Sequence, residues 1–226
     1  MAIYYVMNDG RGQKISNEYV RLDDLSDDEC YQATRFPRVA VQELCDLLGQ
    51  DLEHPTYRSH AIPADAQLIA ALQLFASGSF QWMIGRSCRM SQASVSLAID
   101  AVTKALVKRA PEFIKFPTDP RTTVSNKLAF HAVGGFSNVL GAIDCTHVAI
   151  KSPVVNEEAF VNRKGVHTVN IQGVCNMDMM FLDIVAKWPG SSHDAFIWRT
   201  SSLRGMFEQG YMPDGWLIGE QITVYQ

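Results

Sequence analysis

No stretch of this chain approaches the roughly 18 consecutive apolar residues that a membrane span requires, so no transmembrane helix is expected. The opening MAIYYVMNDG has a short apolar burst but neither a basic front nor a small-residue cleavage pattern, and no secretory leader is read there. Cysteine is sparse. Cys30, Cys45, Cys88, Cys145 and Cys175 are odd in number and never spaced C-x-x-C. That favours reduced thiols in an intracellular protein over a disulfide framework. Repeats and low-complexity tracts are also missing. What remains is 226 residues, 47% of them hydrophobic, enough for one sizeable domain or two small ones.

Charge of one sign is scarce only in the middle. Residues 66–130 carry 3 acids against 8 bases, whereas 1–65 carry 12 against 6 and 131–226 carry 9 against 6. A basic centre between acidic flanks fits either a nucleic-acid-facing element or an ordinary solvated helix face with lysines.

The first half has helical spacing. LDDLSDDEC, residues 22–30, has the form of a capped acidic helix start, and Val39, Val41, Leu44, Leu47 and Leu48 recur at helical intervals before Gly49. A further helix is predicted from near Pro63 to just before Gly78. Next come a short helix through Ile84, a tight turn, and a helix capped by Ser91 and ended by Pro111. The last has an apolar stripe of Val95, Ala98, Ile99, Val102 and Leu106. Gln92, Ser96, Lys104 and Lys108 lie away from it. Residues 80–109 therefore have either a helix-turn-helix layout, with Gln92, Ser94, Ser96, Lys104 and Lys108 as candidate DNA contacts, or that of a plain helical hairpin. Residues 1–125 form the expected helical region, and the Pro- and Thr-rich loop 117–123 marks its end.

Beyond Phe136 the pattern turns to short β-like runs: VLGAIDC, HVAIK, TVNIQGVCN, MMFLDIVAKW and WLIG. NMD supplies a hairpin turn, and 191–207 has helical spacing. An α/β layer is expected over 136–226.

Acids close three of these features. Asp144 follows Val139–Ile143, Asp194 follows the Pro189-Gly190 break, and Glu220 follows WLIG. Each has a plain explanation as well as a functional one: a rim residue, or an acid favoured by a helix dipole. Together they match the carboxylate supply of nucleases that hold two magnesium or manganese ions about 4 Å apart. The run Ser192-His193-Asp194 is no hydrolase triad, because side chains adjacent in sequence diverge. Cys145, His147, His167, Cys175 and His193 fit no usual structural zinc spacing.

GAIDCTHVAIKSP, FVNRKGVHTVNIQGVCN, WPGSSHDAFIWRTSSL and WLIGE, in that order, resemble the DDE transposase domain of the PIF/Harbinger superfamily, and within it the vertebrate transposase-derived nucleases. The resemblance implies an RNase H-like core behind a helix-turn-helix region. It also implies divalent-metal-dependent DNA nuclease activity, with loss of true transposase activity expected of domesticated members. By position it implies Asp144, Asp194 and Glu220 as catalytic and metal-binding carboxylates. His147, Arg163, Lys164 and His167 would act behind them or orient the substrate, with Asn162 opening the Asn-Arg-Lys-Gly-x-His motif. It implies DNA and a Myb/SANT-like DNA-binding protein as partners, residence in nucleus and cytoplasm, and self-association as an option. Two departures stand out. Glu220 occupies an aspartate slot, and the chain stops six residues later, without the family's final glutamate and helix. An incomplete core with weak stability and little or no cleavage is therefore expected.

Overall fold

The computed structural model describes residues 19–53 and 61–219. They form two compact units that divide at Arg109/Ala110.

The first unit is helical: α1 (Asp27–Thr34), α2 (Arg38–Leu52), α3 (Ala64–Ser77), α4 (Gln81–Cys88) and most of α5 (Gln92–Phe113). Local chemistry sets the ends. Ser26 and Glu29 exchange the side-chain-to-backbone bonds of a capping box at the start of α1. Gly78 takes the left-handed conformation that stops α3. Leu48, Leu68, Ile69, Val95 and Val102 are fully buried and join α2, α3 and α5. Each such side chain contributes about 1.5–3 kcal/mol by leaving water. Asp51 clamps α2 to α5 by accepting Lys108 Nζ at 2.5 Å and Arg109 Nε at 3.0 Å. Those two bonds hold its carboxyl below the ordinary aspartate range. Pro111 does not end α5 as expected. The helix carries it and closes with Ile114 N–H on Ala110 O, because near a C-terminus the ring disturbs few remaining bonds.

The second unit opens with α6 (Pro120–Gly134), capped by Asp119 and packed on the first strand. The sequence reading passed over this helix although Asp119-Pro120 is an N-cap followed by proline at the first helical position. Four strands follow, β1 (Val139–Ala149), β2 (Thr168–Cys175), β3 (Phe181–Pro189) and β4 (Trp216–Ile218), with α7 (Asp194–Arg199) and α8 (Ser202–Glu208) between the last two. The sheet order is β3-β2-β1-β4. β1 and β2, and β2 and β3, are antiparallel, while β4 runs parallel to β1 along Val139–Ala142.

Two expected runs, VLGAIDC and HVAIK, fuse into the single strand β1, so Asp144 and His147 interrupt nothing. The Asn176–Met180 turn closes the β2–β3 hairpin where NMD predicted it. The helical stretch 191–207 breaks in two because the Ser201 hydroxyl caps Arg204 N–H and starts α8 afresh. Ile143, Val174, Leu182, Trp198, Leu203 and Leu217 form the core of this unit, between the sheet and its short helices.

Candidate functional site

Directly opposed residues of an antiparallel pair project to the same face, and neighbours along a strand to opposite faces. Cys145 opposes Gln172 and His147 opposes Asn170, so these four share one face of the β1–β2 pair. Asp144 opposes Gly173 and points to the other. Asp144 is exposed, meets no side chain across the strand, and bonds the backbone N–H of Cys145 through Oδ1 at 2.8 Å. A carboxylate is tolerated here because this part of β1 lies open to solvent.

Asp194 is placed differently. Gly190 is buried, and a Cβ there would stand 2.2 Å from Thr168 Oγ1 and 2.4 Å from Phe160 O. Only glycine lets the chain leave β3 this close to β2 and turn into α7. Asp194 Oδ1 then accepts Asn170 Nδ2 at 2.9 Å, and the same amide donates to Ser192 O at 3.0 Å. Gln172 Nε2 reaches Cys145 Sγ at 4.0 Å. Burial, and then the charge of Asp194, push the Cys145 thiol up to about 12. Asp194, Asn170, Gln172 and Cys145 thus form one polar cluster on the face opposite Asp144. The two aspartates expected to share metal ions project from opposite faces of the β1–β2 pair, because strand alternation separates Asp144 from the Asn170 side.

Beside Asp194 lies a cavity of about 290 Å³, lined by His147, by Asn162–Lys164 and by the 190–194 turn. Asn162 Oδ1 accepts Lys164 N–H and Val166 N–H at 2.9 and 3.1 Å, and a Val161–His167 bridge closes the loop. His147 Nδ1 lies 3.0 Å from Thr168 Oγ1. His167 Nε2 lies 2.9 Å from Glu157 Oε1, close enough for an ion pair when the ring is protonated. Of the second group of expected residues, His147, Arg163 and Lys164 are brought together here, and His167 lies beside Glu157 without a hydrogen bond from Nε2 among the described residues. Glu220 lies outside the described residues. Gly219 precedes it with its backbone against β1: a Cβ there would stand 2.5 Å from Ile143 O.

The expected DNA contacts on α5 are divided. Gln92 and Ser96 are exposed, and Ser94 Oγ lies 2.9 Å from Ser91 Oγ. Lys104 pairs with Asp100 at 2.7 Å and Lys108 with Asp51. The lysine charge expected to face DNA is therefore balanced within the unit. The exposed side of α5 also carries Leu97 and Val107, 69% and 67% exposed, which a phosphate-binding face has no use for. Arg86 and Arg89, at the end of α4, have no ion-pair partner among the described residues, and sequence reasoning overlooked them.

Among the described residues no three His, Cys, Asp or Glu side chains gather closely enough to hold a metal ion. Asp144 alone does not fit one.

Residues 143–221 match the DDE superfamily endonuclease family. The chain is 41% identical to "Putative nuclease HARBI1" of Rattus norvegicus over 211 residues, covering 93% of this chain and 60% of that protein. The namesake of Xenopus laevis is 40% identical over 215 residues, 95% of this chain and 62% of that protein. The chain is thus similar over nearly all its length to Harbinger-derived DDE proteins. A more distant similarity, 28% over 188 residues, links the chain to "Protein ALP1-like" of Arabidopsis thaliana, covering 80% of the chain and 46% of that protein. The chain spans about 60% of the length of the vertebrate relatives it matches. No solved structure matches it. The matched DDE segment takes in Asp144, the cavity loop, Asp194 and Glu220.

Proposed function

We propose that this chain carries the nuclease part of a protein that hydrolyses DNA phosphodiester bonds with a divalent cation and has no transposase activity. The observation that carries the reading is the endonuclease match over 143–221, which begins beside the open strand face where Asp144 is exposed. The order β3-β2-β1-β4, with β4 parallel to β1, supports an RNase H-like core.

Asp144 and Glu220 are the carboxylates assigned to magnesium or manganese. Such ions, when bound, lower the pKa of an attacking water and stabilise the leaving oxygen. Asp194 is not assigned to them, since it lies across the sheet in the Asn170 cluster. The described part of the carboxylate set is a single aspartate, and no reaction step is assigned to the ion. DNA, a Myb/SANT-like protein partner, self-association, and residence in nucleus and cytoplasm belong to the same proposal, as does a helix-turn-helix role for α4 and α5.

A catalytically incomplete DNA-binding or interaction module is the second reading, and the separation of Asp144 from Asp194 favours it. Calorimetric titration with Mn²⁺ separates the two. A nuclease site predicts binding that Asp144→Asn removes and Asp194→Asn leaves in place, together with plasmid nicking abolished by Asp144→Ala. Absence of both binding and nicking in the wild type would favour the module.

A further inference from the structure

We propose that the cavity between the Asn162–Lys164 loop and the 190–194 turn binds a backbone phosphate of a DNA strand, at a distance from the bond that is cut. This rests on the nuclease reading and adds a second point of attachment to it.

The charges favour an anion. Arg163 and Lys164 are exposed and have no carboxylate partner among the described residues, unlike Lys104, Lys108 and Arg109, which are ion-paired. The one acid lining the cavity, Asp194, already gives Oδ1 to Asn170. Two permanent cations therefore face one committed carboxylate.

The imidazoles add a donor. His193 Nδ1 accepts the Ala195 N–H at 3.3 Å, which in the neutral ring leaves the proton on Nε2. His193 and His147 both line the cavity. A guanidinium, an ammonium and an imidazole N–H are the groups that bind phosphate oxygens.

The cavity is also built rather than accidental. Asn162 and the Val161–His167 bridge shape the loop that carries both cations. Gly190 holds the opposite wall against Thr168 and Phe160.

The position settles what the phosphate does. His147 and Asn170 share the face opposite Asp144, so a phosphate held here is not the one at Asp144. It anchors the strand.

The test uses the full chain in EDTA, so that cleavage plays no part, with a fluorescent single-stranded oligonucleotide titrated at several salt concentrations. Arg163→Ala with Lys164→Ala is expected to weaken binding at least about tenfold at low salt. Loss of this one phosphate contact should also reduce the salt slope by about 0.7. Arg163→Lys with Lys164→Arg should restore both. Oligonucleotides with uncharged methylphosphonate linkages should bind the wild type no better than the double alanine variant. Inorganic phosphate should compete, whereas a free-phosphate site alone would show phosphate binding without the oligonucleotide effect and would overturn the assignment to a strand. Affinity and slope unchanged in the double alanine variant would overturn the proposal outright and leave the nuclease reading untouched. Binding lost in that variant, with no metal-dependent cleavage in the wild type, would sustain this site and remove the nuclease.

Discussion

Asp144 and Asp194 lie on opposite faces of the β1–β2 pair: Asp144 opposes Gly173 on the open face, and Asp194 is bonded to Asn170 on the other. Two aspartates that look equivalent in the sequence therefore carry different physical burdens.

Their stability effects should differ. Asp194→Ala removes an acceptor from the fully buried Asn170 amide and should cost about 1–3 kcal/mol. Asp144→Asn alters an exposed side chain and should stay within about 0.5 kcal/mol of wild type. Urea denaturation of the two variants checks this, and equal destabilisation would contradict the two-face geometry.

The Cys145 thiol is pushed up to about 12 by burial and by Asp194. It should stay protonated and resist iodoacetamide at pH 8 in the folded protein, and react once urea unfolds the chain. Asp194→Asn should speed its modification in the folded state, with mass spectrometry of the Cys145 peptide as the readout.

Asp183 is half-buried on β3, with Oδ2 buried and without a hydrogen-bond partner among the described residues, and burial raises its carboxyl above the ordinary value of 3.8. A raised folded-state pKa means that the folded protein holds this proton more tightly than the unfolded chain. The associated stability is present below about pH 4 and is lost as pH rises through the folded value. Asp183→Asn should therefore raise the melting temperature at pH 7 and change it little at pH 3.5. Thermal scans at the two pH values decide it.

At Gly190 any side chain must displace Thr168 or the Phe160 carbonyl. Gly190→Ala should destabilise the protein by several kcal/mol, or widen the cavity beside Asp194. Chemical denaturation gives the first effect, and loss of oligonucleotide binding in a variant that remains folded gives the second. A folded variant with wild-type stability and binding would contradict the close approach.

Much of the fold was legible because its signals are local. Ser26 with Glu29, Pro63 and Gly78 bound their helices through bonds spanning four residues or fewer, and the Asn176–Met180 turn follows its residues in the same way. Pro111 misled because a proline near a helix end is cheaper than one in the middle. Asp119-Pro120 was a readable start that the loop-like composition around it concealed.

The site was legible only in its parts. Residue types and order alone established an acidic, basic and imidazole-bearing second half with Asp144, Arg163, Lys164 and Asp194 as its chemical groups. Tertiary structure alone decided which of them meet. The β1–β2 register assigns Asp144 to one face and His147 to the other, and the tight passage at Gly190 carries Asp194 back to Asn170. Register and chain return depend on pairing between segments more than twenty residues apart, and a one-residue shift would have reversed every face.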